Sequence, residues 1–284
     1  MKLKKEILES PFFMLLIILV IIIGGIYIVG EITYKQPEKD ETINEPEIID
    51  VTPFSDFDWS KLNRENDFIT YEDDKYTSMI GIDVAAHQET IDWKKVKQAG
   101  VEFAYIRLGY RGCSEGILHT DLEFEKNLKG ATENGILVGI YWYSQPISEI
   151  EAIEEAKYVI DVLDGRHIDL PIAYDFEETF QADGTISRMH DMPKQDRTKM
   201  AVAFCNEIIK NHQDVMIYTN LDWAENYYDW NELEDYPVWF AQYSSYPEFD
   251  RPLVMWQYED NGFIDGIDRS TDFDILFIRK NNQN

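Results

Sequence analysis

From Met79 onward, short apolar segments alternate with amphipathic ones, and this alternation limits the possible folds more than any other feature. Short apolar runs bounded by turn residues predict buried strands, whereas apolar residues repeated at a period of 3.6 predict helices. The predicted strands cover residues 79–84, 103–107, 136–143, 171–175, 215–219, 238–242, 253–257 and 272–278. Strands that alternate with helices form a largely parallel sheet covered by those helices. The sequence therefore predicts an α/β domain over residues 79–280.

Helices are predicted mainly in the first two thirds of this domain. They cover residues 93–99, 121–134, 148–163 and 194–212. The third helix begins with Ser148-x-x-Glu151, the pattern of a capping box. Helical patterns become hard to find after Tyr218. Eight strands with this uneven distribution of helices predict an irregular (β/α) barrel of the TIM type, with fewer helices in its C-terminal third.

A second feature is an uncharged apolar stretch over residues 10–30, long enough to cross a bilayer as a helix. A cleavable signal peptide is the alternative, but its apolar region is normally shorter and ends in a small-x-small site. Lys2, Lys4 and Lys5 precede the stretch and acidic residues follow it, which places residues 1–9 in the cytoplasm. We therefore expect a single-pass protein of the cell membrane, with everything after residue 30 outside.

Residues 31–78 lack a persistent helical or strand period. The slightly longer stretch 31–80 carries 14 acidic and five basic residues, and three prolines interrupt it. Such a composition predicts an extended, self-repelling stalk. Phe54, Phe57, Trp59 and Leu62 interrupt this pattern and leave open whether that stretch docks on the following domain.

Charge and motifs exclude several kinds of chemistry. The net charge of -28 argues against a nucleic-acid partner, which requires basic patches. Cys113 and Cys205 are too few for a disulfide framework and leave either one bridge or two buried thiols. There is no Gly-x-Ser-x-Gly, phosphate-binding glycine loop or His-Glu-x-x-His, and the five histidines lack metal-ligand spacing. We therefore expect neither a metal nor a cofactor.

Carboxylates at strand ends are the strongest chemical signal. The apolar strand at 171–175 runs into Asp175 and Glu177, which project to one face about 6.5–7 Å apart if the strand continues. Barrel active sites lie at the carboxyl ends of the strands, where Asp83 of the first strand is also expected. Acids after a strand often cap helices or face solvent, and this chain has 54 acids in total.

Aromatic residues near the strand ends are the second signal. Rings with a polar group suit sugars, and Tyr141, Tyr218 and Trp239 are candidates for binding them. The alternative for each ring is a place in the core. Arg107, on the second strand, pairs either with an acid of the site or with a structural carboxylate.

Over residues 79–278 the chain resembles glycoside hydrolase family 25, the lysozymes of the Chalaropsis type. The resembling segments are Gly81-Ile82-Asp83-Val84, Asp175-Phe176-Glu177, Trp239-Phe240-Ala241-Gln242-Tyr243, Trp256-Gln257-Tyr258 and Thr271-Asp272-Phe273-Asp274. The resemblance implies that Glu177 is the general acid and that Asp175 stabilises the developing positive charge. It also implies that Asp83 and Asp272 line the site, and that Gln242 contacts substrate.

The activity that the resemblance implies is cleavage of peptidoglycan glycan strands between N-acetylmuramic acid and N-acetylglucosamine. Two departures, Ala85-Ala86 in place of a usual Ser and Trp142 in place of a smaller or imidazole side chain, bear on sugar binding. A chitinase-like glycosidase is one alternative, but its motif has further acids where this chain has residues 172–174. A glycan-binding module without catalysis is the other, and the four intact acids argue against it.

Overall fold

A closed wall of eight strands forms the centre of the protein. The computed structural model describes residues 53–179 and 184–280, and the elements below are those of the described residues. The strands are β1 (Leu62–Glu65), β2 (Phe68–Tyr71), β3 (Tyr76–Val84), β4 (Phe103–Arg111), β5 (Leu118–Thr120), β6 (Leu137–Ser144), β7 (Ile172–Phe176), β8 (Val215–Asn220), β9 (Val238–Ala241), β10 (Met255–Gly262) and β11 (Thr271–Arg279). The helices are α1 (Trp93–Gln98), α2 (Phe124–Glu133), α3 (Glu149–Leu163), α4 (Lys194–Lys210) and α5 (Leu221–Asn226).

The order of the strands confirms the predicted irregular α/β barrel. Around the wall the order is β3, β11, β10, β9, β8, β7, β6 and β4, and pairing between β3 and β4 closes the circle. Neighbouring strands are parallel except at β11, which is antiparallel to both β10 and β3. All eight predicted strands and all four predicted helices are present. The only helix after β8 is the short α5, within the part of the chain described.

The reversed direction of β11 places its first residues at the rim where the other strands end. Asp272, near the start of β11, pairs directly with Asp83, near the end of β3. A reversed strand thus brings an acid from its amino end into the same mouth as acids from the carboxyl ends of parallel strands.

Strict alternation along the strands separates two apolar cores. On β7, Ile172 and Tyr174 pack in the outer core beneath the helices, whereas Ala173 packs inside the barrel. The interior core consists of Phe103, Tyr105, Tyr141, Leu170, Ala173, Met216, Tyr218, Trp239, Ala241, Val254, Met255 and Leu276. Because side chains of a strand alternate between faces, residues in register with this interior set point into the barrel mouth.

The capping box predicted for α3 is half formed. Ser148 Oγ accepts a hydrogen bond from the backbone N–H of Glu151 at 3.3 Å, as the pattern requires. The carboxylate of Glu151 instead accepts from the backbone N–H of Ile147, at 3.1 Å. Two amides near the start of the helix are therefore satisfied, but the returning bond ends one residue earlier than predicted.

The folded unit begins before the predicted boundary at residue 79. Phe54 is buried and stacks on Tyr76 with ring centroids 4.0 Å apart, and Phe57 lies 4.5 Å from Phe277. The β1–β2 hairpin follows, with Ile69 buried. Residues 54–78 therefore belong to the domain and not to the stalk, because their scattered aromatic rings cover the outer face of β3 and β11.

The N-terminal predictions concern residues outside the described part of the chain. These are the cytoplasmic residues 1–9, the membrane helix at 10–30 and the first part of the stalk, 31–52. Among residues 53–179 and 184–280, no helix is both long and apolar enough to cross a membrane.

Cys113 and Cys205 are both buried and are not joined by a disulfide. Of the two states that the sequence left open, the structure contains the thiols. Burial raises the pKa of the Cys205 thiol, so this side chain stays protonated and packs as a small apolar group.

Candidate active site

Asp175 and Glu177 meet on the inner face of the barrel mouth, as predicted. Asp175 lies on β7 between Tyr174 and Phe176, which both pack in the outer core, so its side chain points inward and is only 7% exposed. Glu177 follows directly after the strand and is partly exposed. The two carboxyls interact electrostatically, and each sits in a largely desolvated position. The strand and the residue after it thus place a deep carboxyl, Asp175, and a shallow carboxyl, Glu177, in the same opening.

Neighbouring strands hold Glu177 by its side chain and its backbone. Asn220, the last residue of β8, donates from Nδ2 to Glu177 Oε1 at 3.2 Å. The same Asn220 accepts at Oδ1 from the N–H of Trp223, at 3.0 Å, and so caps α5. Gln145, after β6, donates from Nε2 to the backbone carbonyl of Glu177 and accepts at Oε1 from Ser187 Oγ at 3.1 Å. These contacts leave little freedom in the position of the carboxyl.

Burial raises the pKa of both Asp175 and Glu177. For Asp175 the nearby Glu177 and Asp83 raise the pKa further, and the positive charge of Arg107 opposes them. For Glu177 the hydrogen bond from Asn220 is the opposing effect. Two carboxyls in such proximity titrate as a pair, and their mutual repulsion disfavours the doubly ionised state. The pair therefore retains a proton at a pH where a free carboxyl has lost it.

A second group of acids lies across the mouth on β3 and β11. Gln257 of β10 donates from Nε2 to Asp83 Oδ2 at 2.7 Å, and more weakly to Asp272 Oδ2 at 3.4 Å. Its Oε1 accepts from the hydroxyls of Tyr218 at 2.9 Å and Tyr243 at 3.0 Å. One amide thus links two acids to a tyrosine of β8 and a tyrosine of the loop after β9.

Asp274 is the deepest member of this second group and is fully buried. Trp239 donates from its indole Nε1 to Asp274 Oδ1 at 2.9 Å. Burial is the largest cause that raises the pKa of Asp274 and of Asp83. The charge of Asp272 raises the pKa of Asp274 further, and the charge of Asp274 raises the pKa of Asp83 further. Burial, together with the charge of Asp83, raises the pKa of Asp272 to about 9. Asp272 is therefore a protonated hydrogen-bond donor at neutral pH.

The other predicted binding residues fall in two places. Tyr141, Tyr218 and Trp239 line the barrel interior below the acids, with Trp239 4.8 Å from the Tyr218 ring and 6.3 Å from the Tyr141 ring. Gln242 does not join them. Its Oε1 accepts from the backbone N–H of Glu248 at 2.6 Å, so its amide closes the loop after β9.

Arg107 combines both of the roles that the sequence left open. Its Nε donates to Asp121 Oδ2 at 2.8 Å, and Asp121 is buried beside it. Its charge also favours the ionised form of Asp175. The hydrogen-bonded partner of Arg107 is thus the structural carboxylate of Asp121, and the guanidinium acts on Asp175 through its charge alone.

Four contributors to the mouth have no role in the sequence interpretation. Asn220 is the polar residue that ends β8, and Gln257 and Asp274 lie on the inward faces of β10 and β11. The alternation of apolar residues on these strands could have identified Gln257 and Asp274, since both are polar residues at interior positions. Gln145 gives no such signal, because its contact depends on the path of the chain beyond β6.

The two departures from the family pattern lie apart from the acids. Trp142 is fully buried on the outer face of β6, where its ring lies 5.5 Å from that of Tyr158 on α3. Ala85 and Ala86 begin a turn in which the backbone N–H of Ala85 donates to Gln88 Oε1 at 2.9 Å. Trp142 therefore contributes to packing between strand and helix and not to the mouth.

The fold and the site together define an α/β barrel whose mouth carries a buried carboxyl pair, the arrangement needed for glycoside hydrolysis by two carboxyl groups. Within the described parts of the chain, no three His, Cys, Asp or Glu residues are grouped so as to hold a metal ion. Residues 82–267 match the family described as Glycosyl hydrolases family 25. The chain therefore belongs to glycosyl hydrolase family 25.

Relatives and solved structures agree with this assignment. The autolytic lysozyme of Clostridium acetobutylicum is 29% identical over 197 residues, which are 69% of this chain and 55% of that protein. The bacterial lysozyme from Streptomyces coelicolor superposes with a TM-score of 0.54 at 25% identity, covering 69% of this chain and 90% of that one. The modular autolysin LytC from Streptococcus pneumoniae shares the fold, with a TM-score of 0.64 at 21% identity over 75% of this chain.

The matched region is only part of the larger relatives. This chain spans 55% of the length of the Clostridium lysozyme and 51% of the LytC chain.

Proposed function

We propose that this chain is a peptidoglycan hydrolase, a muramidase that cleaves the β-1,4 bond between N-acetylmuramic acid and N-acetylglucosamine. The observation that carries the proposal is the Asp175–Glu177 pair, desolvated and mutually coupled, in the mouth of a family 25 barrel. The names of the relatives in Clostridium and Streptomyces, both lysozymes, support the same substrate. Activity of the Chalaropsis type is part of this proposal.

Glu177 acts as the general acid in this mechanism. It is the more exposed member of the pair, so a glycosidic oxygen entering the mouth reaches it first. Its raised pKa keeps a proton available for the leaving group. The bonds from Asn220 and Gln145 hold the carboxyl and its backbone in place, and such pre-positioning lowers the entropic part of the barrier.

Asp175 acts as the carboxylate that faces the developing oxocarbenium ion. Burial and the charges of Glu177 and Asp83 raise the pKa of Asp175, and the charge of Arg107 opposes them by favouring its ionised form. Once the proton of the pair lies on Glu177, the negative charge on Asp175 stabilises positive charge at the anomeric carbon. The deep and shallow positions on β7 thus correspond to the two roles.

The second acid group supplies fixed donors for the sugar. Asp272 carries a proton at neutral pH because burial and the neighbouring Asp83 raise its pKa to about 9. Gln257 keeps this acid oriented and connects it to Tyr218. Together they present polar groups and an aromatic ring to one side of the mouth, which suits the edge and face of a sugar.

We also propose that the protein is a single-pass protein of the cell membrane, with its barrel outside the cell. The support is the uncharged stretch at residues 10–30, preceded by Lys2, Lys4 and Lys5 and followed by acidic residues. Protease treatment of intact cells tests this proposal. A barrel that is digested only after cell lysis contradicts it.

The ends of the released fragments test the proposed activity. Purified cell walls are incubated with the full-length chain or with Glu177→Gln, and the soluble products are reduced with borohydride and identified by mass spectrometry. We expect reduced N-acetylmuramic acid at the new ends with the unmodified chain and none with the variant. Reduced N-acetylglucosamine ends contradict the muramidase assignment. Adsorption of the unmodified chain without fragment release identifies a glycan-binding module instead.

A further inference from the structure

The β1–β2 hairpin lies before the family match at residues 82–267, yet it packs beside the candidate active site. The backbone N–H of Ile69 donates to the hydroxyl of Tyr258 on β10 at 3.2 Å. Phe68 packs against Phe273 of β11, with ring centroids 5.2 Å apart. The hairpin is therefore attached to the two strands that carry Gln257 and Asp272.

Arg64 of the hairpin reaches the loop that follows β9. One of its terminal nitrogens donates to the backbone carbonyls of Ser244 at 3.1 Å and Ser245 at 2.8 Å. Its guanidinium also lies over the ring of Trp256, 5.8 Å from the centroid, and Trp256 Nε1 donates to the carbonyl of Gln242 at 2.8 Å. Arg64 and Trp256 thus donate hydrogen bonds to backbone carbonyls of this loop on both sides of Tyr243.

Tyr243 connects the loop to the acids. Its hydroxyl donates to Gln257 Oε1 at 3.0 Å, and Gln257 in turn donates to Asp83. Although the hydroxyl is anchored, the residue is 52% exposed. An aromatic ring with a fixed polar end and an open face suits the apolar face of a sugar. The orientation of this ring depends on the loop that Arg64 holds.

The acids of the mouth also influence Tyr243. Burial is the largest cause that raises the pKa of its hydroxyl, and the charges of Asp272, Asp260 and Asp83 raise it further. The hydroxyl of Tyr243 therefore stays protonated and continues to donate to Gln257 throughout the working pH range.

We propose that the β1–β2 hairpin is an accessory part of the substrate cleft, in which Arg64 is a positioning residue that holds Tyr243 as a wall against the glycan strand. The inference rests on the proposed muramidase function and adds to it an element outside the matched family region that positions a substrate-binding residue. Arg64 touches neither the acids nor the cleft directly. It acts by fixing two loop carbonyls next to Tyr243, so its loss weakens sugar binding more than it slows bond cleavage.

The test compares kinetics of soluble peptidoglycan fragments for the full-length chain, Arg64→Ala and Arg64→Lys. The matched control is Arg279→Ala, because Arg279 also lies over an aromatic ring, that of Tyr76 at 5.9 Å, but at the end of β11 distant from the mouth. We expect Arg64→Ala to raise KM about 3- to 10-fold with less than about a twofold change in kcat, and Arg64→Lys to recover part of the loss. Arg279→Ala should leave both constants unchanged.

Two further measurements separate positioning from general stability. In a Tyr243→Ala background, Arg64→Ala should add little to the rise in KM, because both changes remove the same contact with substrate. Hydrogen exchange of the peptide covering residues 242–248, measured without substrate, should accelerate in Arg64→Ala and not in Arg279→Ala.

The exchange measurement also separates this inference from the proposed function. An unmodified chain that releases no wall fragments contradicts the muramidase proposal, whatever the exchange shows. Exchange of residues 242–248 that is equal in Arg64→Ala and Arg279→Ala, or an unchanged KM in Arg64→Ala, overturns the hairpin inference. Additive effects of Arg64→Ala and Tyr243→Ala on KM overturn it as well.

Discussion

The two groups of carboxyls in the barrel mouth differ in how the protein hydrogen-bonds them. On β7, Glu177 receives one side-chain donor, from Asn220, and Asp175 Oδ1 is buried without a hydrogen-bond partner among the described residues. Across the mouth, Gln257 donates to both Asp83 and Asp272. The protein therefore binds Asp83 and Asp272 into its own hydrogen-bond network and leaves an oxygen of Asp175 unbound.

This difference separates reacting groups from supporting ones. A buried polar atom without a partner carries a free-energy cost of about 1–3 kcal/mol, which a substrate or a proton can relieve. Asp175 bears such an atom next to a second desolvated carboxyl. Asp274 Oδ2 is another such atom, although Trp239 donates to Oδ1 of the same carboxyl. Changes on β7 should consequently affect the reaction most, and changes on β11 should affect binding and stability.

Replacing Glu177 should have the largest effect. Glu177→Gln removes the transferable proton, and we expect turnover to fall by about 10² to 10⁴, equivalent to about 3–5 kcal/mol of barrier. Glu178→Gln is the matched control, because Glu178 is adjacent in sequence but binds the imidazole of His190. Rates of wall clearing measure both variants. Severe loss in Glu178→Gln beside near-normal clearing in Glu177→Gln means that the roles of the two residues are reversed.

Asp175→Asn should have the next largest effect, a loss of about 10² in turnover through weaker stabilisation of positive charge. The variant should also change the pH profile of its residual activity. Since the coupled negative charge is lost, the pKa of Glu177 should fall, and the alkaline limb should move to lower pH. Turnover measured between pH 4 and 9 tests this. An unmoved limb indicates that the two carboxyls do not titrate as a pair.

The comparison also shows which parts of the site the sequence could predict. Asp175 and Glu177 follow from the period of two on an apolar strand. The structure places Asp175 on the inner face of β7 and Glu177, partly exposed, directly after that strand. Asp272 does not follow from strand ends, because β11 is antiparallel and enters the mouth with its first residues. Only the resemblance to a family indicated it. Direction of a strand depends on pairing over long sequence distances, which a local pattern does not contain.

Most of the fold could be predicted from the sequence, because local patterns identify its strands and helices. Each barrel strand and each of the four predicted helices carries its own apolar period, so its position can be found without the rest of the chain. The β1–β2 hairpin carries no such signal, since β1 exposes three of its four residues. Its stability comes from contacts made elsewhere, such as the bond from Ile69 to Tyr258. That is why an acidic stalk was predicted where the structure has a packed hairpin.

A smaller effect is expected from Asn220→Ser, which tests the single donor on the β7 side. Serine preserves an oxygen that can cap α5 but is too short to replace the contact with Glu177. Because this hydrogen bond lowers the pKa of Glu177, its loss should raise the pKa and move the alkaline limb to higher pH, opposite to Asp175→Asn. Turnover should change only a few-fold, by about 1 kcal/mol. A limb that moves in the same direction in both variants contradicts the assigned contacts.

Asp272→Asn should have the smallest effect on turnover and a measurable one on stability. Burial and the charge of Asp83 raise the pKa of Asp272 from 3.8 to about 9. Between these values the folded protein holds a proton that the unfolded chain has released, so the free energy of unfolding of the unmodified protein falls as the pH rises. Asparagine does not titrate, so the free energy of unfolding of the variant does not fall with pH for this reason. The stability of the variant relative to the unmodified protein should therefore increase from pH 5 to pH 8.

Thermal unfolding of Asp272→Asn at the two pH values measures this change. We expect a relative gain of at least about 1 kcal/mol at pH 8, or about 2–4 °C in Tm for a domain of this size. Asp161→Asn is the control, since Asp161 is exposed on α3 and the change should give the same difference in Tm at both pH values. An equal difference at pH 5 and pH 8 means that Asp272 is ionised in the folded protein over this range. Asp272 would then carry a negative charge at neutral pH, and its assigned role as a protonated donor for the sugar would not hold.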